Sequence, residues 1–210
     1  MTRIILASAS PRRAALLRQI GLPFTVQVSA VDETTSSETD PAKLALALAC
    51  AKGQAVAEKV DEGIIIAADT IVSSEGELLG KPATKEAAAA MLRRLAGNVH
   101  HVLTGVAVFS KPAGLIRTHV ETTAVHMRKL TEAEIKWYVN TGEPYDKAGG
   151  YGIQGKAAVF IEKIEGCYFN VVGLPLAALW QLLTAVGIKL GEGAGSNEDT
   201  APDHQGVTTK

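Results

Sequence analysis

Ile64-Ile65-Ile66-Ala67-Ala68, closed by Asp69-Thr70, is the stretch on which the reading of this 210-residue chain turns. A continuous apolar run of this length, bounded by a glycine and an acid, predicts a strand buried on both faces. Strands mix with helices on either side of it. The class is therefore α/β, built as one elongated sheet or as two lobes around a cleft. A carboxylate at the end of a buried strand stands where ligands of α/β sheets bind. The other reading of Asp69-Thr70 is a turn-forming pair.

Toward the N-terminus, Asp40-Pro41 opens a long helix to about Val60. Phe24 to Ser29 reads as a strand with Phe24, Val26 and Val28 on one face, and Ile4 to Ser8 as a short buried strand. Ser10-Pro11 then starts a helix as N-cap and first helical residue, with Leu16, Leu17 and Ile20 as its apolar face and Gly21 as its stop. Toward the C-terminus, Ile71 to Leu79 predicts a hairpin around Ser74-Glu75-Gly76, and Thr84 begins a helix that ends at Gly97. Val99 to Phe109 and Ile116 to Met127 read as strands joined by Lys111 to Gly114. Thr131-Glu132-Ala133-Glu134 is a capping pattern for a helix reaching Gly142. A Gly-rich loop follows to Gly155, then a strand from Val159 to Ile164 and a last helix from Leu176 to Val186.

Hydrophobic residues at 47% and charged residues at 20% exclude a disordered, collagenous or coiled-coil chain. Net charge is -1, so no global field draws nucleic acid and any anion site is local. Cys50 and Cys167 are too few for a disulfide framework or a zinc site, which fits a reduced, cytoplasmic chain. The apolar piece Ile4 to Ala7 is too short for a signal-peptide core. Gly166 to Ile188 carries no charge but is broken by Gly173 and Pro175; it predicts a buried strand, a turn and a buried helix, not a membrane span. Residues 191–210 lack aromatics and hold four acids against one Lys, so a disordered acidic tail is expected there. Residues 1–190 remain as one folded domain.

Several segments carry chemistry. Ser8-Ala9-Ser10-Pro11-Arg12-Arg13 sets two hydroxyls and two guanidiniums at a strand-to-helix turn. Cations oppose the dipole in a first helical turn, so the pair reads either as solvent-facing or as a phosphate site. On the phosphate reading, loss of Arg13 weakens nucleotide binding and slightly favours the free helix. Lys52 has Leu48, Ala49, Ala55 and Val56 as its helical neighbours, so it leaves an apolar stripe, to snorkel or to reach a cleft. Glu33 follows the second strand as Asp69 follows the buried one; two such acids could hold Mg²⁺ with phosphate oxygens, or one could activate water. Lys81-Pro82 follows the hairpin. Four glycines between Gly149 and Gly155 let backbone approach a ligand, and Tyr151, Ile153 and Gln154 among them suggest an ordered wall. Gln154 offers a donor and an acceptor to a base edge. His100, His101 and His126 lack metal spacing and read as structural or exposed.

Taken together and in order, Ser8 to Arg13, Glu33, Lys52, Ala68-Asp69-Thr70, Gly80-Lys81-Pro82, Glu143 to Gly155 and Val172-Gly173-Leu174-Pro175 resemble the Maf family of nucleoside triphosphate pyrophosphatases, in the subgroup acting on dTTP and UTP. The resemblance runs over nearly all of residues 4 to 190; Gly150, where many members have Ala, is its one minor departure. It implies an elongated mixed sheet flanked by helices with a central cleft, of the Maf and inosine-triphosphatase-like kind, and hydrolysis to the monophosphate and pyrophosphate with a divalent cation, Mg²⁺ or Mn²⁺. It implies Asp69 as proton acceptor and Arg12, Thr70 and Gln154 as residues of base choice, the last oriented by neighbours such as Thr70 and Arg12. Ser8, Arg13, Lys52 and Lys81 would bind phosphate, and Glu33 or Asp69 the metal. The expected partner is the nucleotide, with no nucleic acid or membrane, and a homodimer is among the states left open. Because Maf-like proteins are also associated with septum inhibition, the alternative is a nucleotide-binding regulator of cell division with incidental turnover.

Overall fold

The apolar run does form a strand, but a longer one than its composition suggests. In the computed structural model, which describes residues 2–29, 31 and 38–189, it is part of β3, Gly63–Ser74. On one side β3 pairs antiparallel along its length with β5, Val99–Lys111, so Asp69 and Thr70 lie within the strand, opposite Gly105 and Thr104. A cross-strand partner of that length supplies backbone hydrogen bonds that carry the strand through an acid and a threonine. On its other side β3 pairs in parallel with β1, Ile4–Leu6, up to Ile66, and then antiparallel with β4, Glu77–Leu79, from Val72. Between these two partners the edge of β3 around Asp69 and Thr70 has no strand neighbour among the described residues.

The full order is β2-β1-β3-β5-β6-β7, with β4 beside β3. Here β2 is Thr25–Val26, β6 is Leu115–Met127 and β7 is Ile161–Glu165. The architecture is a mixed α/β sheet flanked by helices. The strand expected over Phe24 to Ser29 shrinks to two residues, and Val26 and Val28 are 50% and 55% exposed. Their alternation is real but faces outward, on the edge of the sheet.

Helix α2, Pro41–Ala57, lies across one face. Asp40 caps it, accepting from the backbone N–H groups of Ala42 and Lys43 at 2.9 and 3.0 Å. A Cβ on Gly105 would fall 2.3 Å from the carbonyl oxygen of Ala45, so the absent side chain lets α2 lie directly on the sheet. The opposite face carries two cores. Helices α1, Pro11–Gln19, and α6, Leu176–Ala185, cover Leu6, Ile64, Ile66 and Val106. Helices α3, Lys85–Leu95, and α4, Glu132–Val139, cover Val72, Val102 and Val125. Thr84 caps α3, and both halves of the Thr131–Glu134 capping box form.

In the charge-free stretch the expected strand is absent. Helix α5, Tyr168–Val172, takes its place before Gly173 and α6. Five residues are too few for period to separate strand from helix; here the helical turn brings buried Asn170 to the Val102 carbonyl and the Thr123 hydroxyl. No helix among the described residues is long and apolar enough to cross a membrane. The tail expected over residues 191–210 lies outside the described residues.

Candidate active site

Consecutive residues of a strand point to opposite faces. Asp69 therefore faces α2, and Thr70 faces the side covered by α1, while the uncovered edge of β3 opens both to a cleft of about 680 Å³. Lys52 leaves the apolar stripe of α2 and enters this cleft, where its Nζ lies 2.5 Å from Asp69 Oδ1. Only 12% of the Lys52 side chain and 10% of the Asp69 side chain are exposed. Of the two readings of Lys52, the cleft is the one realised. So little exposure makes this pair a poor stabiliser, because desolvation offsets most of its attraction. It is a means of holding a carboxylate at a chosen place.

On the other face Thr70 meets the second cationic group. Arg13 is buried at the first turn of α1; its Nε donates to the Gly173 carbonyl at 2.9 Å, Nη1 to Ser8 Oγ at 3.1 Å and Nη2 to Thr70 Oγ1 at 3.0 Å. Thr70 Oγ1 in turn lies 3.0 Å from Thr104 Oγ1, at the seam between the two cores. Arg13 thus ties α1, β3 and the end of α5 together, and the expectation that its loss relieves the helix does not fit that burial. Ser10 occupies the N-cap position with an extended backbone, but its side chain makes no capping hydrogen bond.

The far wall runs from Glu143 to Gly155 as two short 3₁₀ turns, Glu143–Asp146 and Ala148–Gly150, followed by an extended Tyr151. Asp146 reaches across the cleft to Arg12 at 2.8 Å and also takes Lys147 Nζ at 2.5 Å. Burial raises the Asp146 pKa, but hydrogen bonds from Lys147 and Arg12 outweigh it and hold the carboxyl below its usual range. Glu143 accepts from the backbone N–H of Lys156 at 3.0 Å. A Cβ on Gly155 would fall 2.3 Å from that carboxylate, so a side chain there would push Glu143 out of its place on the wall.

A carboxylate held by a lysine, an arginine-hydroxyl cradle at a helix N-terminus and a Gly-rich wall thus share one cleft. The Maf-like protein family matches residues 3–186. The chain belongs to the Maf family. It is similar to the dTTP/UTP pyrophosphatase of Moorella thermoacetica, 50% identical over 188 residues, 90% of this chain and 97% of that one. It is 51% identical to the protein of the same name from Symbiobacterium thermophilum, over 89% of this chain and 95% of that one. The Deinococcus radiodurans dTTP/UTP pyrophosphatase is 51% identical over 89% of this chain and 94% of its own.

In this Maf-family chain Ser8, Arg12, Arg13, Lys52, Asp69, Thr70, Lys81 and Gln154 all line the cleft. Lys81 and Gln154 are exposed on it. Glu33 lies outside the described residues. The neighbours expected to orient Gln154 are otherwise engaged, Thr70 with Arg13 and Thr104, Arg12 with Asp146. The Gln154 amide hydrogen-bonds to none of the described residues. Asp146 and Lys147 carry no assigned role in the sequence, where they are one acid and one base in a polar loop; only the tertiary fold, across a separation of 134 residues, sets Asp146 against Arg12. Thr104 and Asn170 carried no signal at all, being polar positions in apolar segments.

Proposed function

We propose that this chain is a nucleoside triphosphate pyrophosphatase that hydrolyses dTTP and UTP to the monophosphate and pyrophosphate. The observation that carries the reading is the Asp69 carboxylate, seated on Lys52 in the uncovered edge of β3 and sharing a cleft with the Ser8–Arg13 cradle. Identity of about half to proteins named dTTP/UTP pyrophosphatase, over nearly their whole length, supports the substrate.

The triphosphate lies along the α1 N-terminus, whose backbone N–H groups and Ser8 hydroxyl favour an anion. Arg13, Lys52 and Lys81 supply charge, so the acceleration comes from positioning and neutralisation. Asp69 takes a proton from a water that attacks the α-phosphorus; the bond from that phosphorus to the bridging oxygen breaks, and pyrophosphate leaves. The fixed Lys52 contact on Oδ1 leaves the other carboxylate oxygen for that proton. Arg12 exchanges Asp146 for the nucleotide, and the Gln154 amide, with no partner among the described residues to lose, pairs with the O4 and N3–H edge of the pyrimidine.

A divalent cation, Mg²⁺ or Mn²⁺, when bound, neutralises charge on the departing pyrophosphate. The residues fit such an ion: few, oxygen-bearing and in an open cleft, as Mg²⁺ held largely by phosphates and water requires. Among the described residues no cluster of three His, Cys, Asp or Glu forms a protein-only cage. With Asp69 taking the proton, Glu33 is the carboxylate left to hold the ion. The reading includes a cytoplasmic location and nucleotide as the partner. A panel of nucleoside triphosphates, assayed with product identification and with or without Mg²⁺, tests it. Monophosphate and pyrophosphate from dTTP and UTP well ahead of CTP, ATP and GTP is the expected result; orthophosphate as first product, or no turnover, overturns it.

A further inference from the structure

We infer that His100 is a positioning residue for nucleotide selection, holding through Tyr151 the wall that carries Gln154. The inference rests on the pyrophosphatase reading and adds to it a residue that does not line the cleft.

His100 lies on β5, two residues before Val102, and faces the second core with no exposed surface. Its Nε2 is 2.6 Å from Tyr151 Oη, and the two rings meet edge to face at 87°. Its Nδ1 is buried with no partner among the described residues. A neutral His100 ring and the Tyr151 phenol share this contact with either group as donor, the direction following which ring nitrogen carries the proton, and in both cases the bond is uncharged. Burial first, then the charges of His101 and His126, push the His100 pKa down to about 4, in keeping with a neutral imidazole. A leucine would fill such a site without a half-satisfied ring, so the polar pair needs a reason other than packing.

Tyr151 supplies that reason. It is nearly buried, lines the cleft, and stands three residues before Gln154. The Gln154 side chain has no anchor among the described residues, so the backbone alone sets where its amide sits. That backbone is pinned at Gly149 N–H to the Gly80 carbonyl at 3.1 Å, at Gly152 N–H to Tyr138 Oη at 3.2 Å, and at Lys156 N–H to Glu143. The His100–Tyr151 bond is the fully buried side-chain pin among them. A reader of base edges must be held to within a fraction of an ångström, and a buried neutral hydrogen bond on a rigid strand does this without adding charge beside a triphosphate.

The test compares Tyr151→Phe, His100→Phe and the double variant, with KM and kcat measured for dTTP, UTP, CTP and ATP beside thermal unfolding. Each single change should raise KM for dTTP and UTP roughly tenfold, with less change in kcat, and narrow their preference over ATP. The double variant replaces both polar partners by apolar rings, so it should regain thermal stability. Its KM and its preference should stay shifted. Single variants that melt earlier but keep both KM and preference overturn the inference, as does a double variant whose selectivity returns with its stability. If His100→Phe does not fold, Tyr151→Phe alone carries the comparison. A wild-type chain that turns over no pyrimidine nucleotide removes the underlying reading, and is recognised before any variant is compared.

Discussion

Replacing Asp69 by Asn separates the chemistry of the cleft from its architecture. Asn keeps the size of the side chain and an oxygen that can still accept from Lys52, so β3 and α2 should keep their places. The charge is lost, and the Lys52 ammonium remains in a site where only 12% of its side chain meets solvent. Breaking a buried pair outright costs about 3–5 kcal/mol. With the hydrogen bond retained, roughly 1–3 kcal/mol is expected, a visible fall in melting temperature without loss of the fold. The rate should suffer more. An amide cannot take a proton from water, and loss of a general base typically costs about 10²–10⁴-fold, equivalent to roughly 3–5 kcal/mol of barrier. Lys52→Met on the same background removes the ammonium as well, and the double variant should remain inactive. Pyrophosphate release from dTTP and UTP and a thermal melt read both effects. A folded Asp69→Asn protein with near-normal turnover would falsify the assignment of Asp69 as proton acceptor.

Arg13→Ala should destabilise by about 2–3 kcal/mol, because it leaves the Gly173 carbonyl without its donor and opens a cavity under α1; a melt at or above wild type would contradict its structural role, and unchanged affinity for a non-hydrolysable nucleotide its binding role. Gln154→Ala should slow dTTP and UTP by about 1–3 kcal/mol of discrimination while sparing poor substrates; a common slowing of every nucleotide would mark Gln154 as scaffold. For His100 the folded pKa is about 4 against 6.5, so the unfolded chain binds the extra proton between those values. Its contribution is present above pH 6.5, is lost as pH falls through 4, and amounts to about 3 kcal/mol. Tyr151, His101 and His126 are its titratable neighbours, and His100→Phe should flatten the stability profile over that window; an unchanged slope between pH 6.5 and 4 would contradict a buried neutral ring.

Local pattern was enough where the deciding contact is itself local, Ser10 excepted, whose side chain makes no capping bond. Asp40, Thr84 and Thr131 cap the helices their spacing announces, because a cap is a contact over two or three residues. The stripe around Lys52 showed that this lysine leaves the apolar face of its helix. The motif set named the family, and the residues it proposed for phosphate share one cleft.

Tertiary structure decided what depends on partners far along the chain. The alternation of Phe24, Val26 and Val28 reads the same on either face of a strand, and an edge position turned Val26 and Val28 to solvent. Asp69 lies inside β3 and not at its end, because β5 supplies the pairing, and the gap between β1 and β4 opens it to the cleft. Arg12 and Arg13, adjacent in sequence, part company: one crosses the cleft to Asp146, the other is buried against Ser8, Thr70 and Gly173. His100 and Tyr151 are 51 residues apart and meet only when the wall folds onto β5. Sequence spacing fixes which face of an element a side chain takes, but which groups share that face is set by sheet order and register, and those are properties of the whole chain.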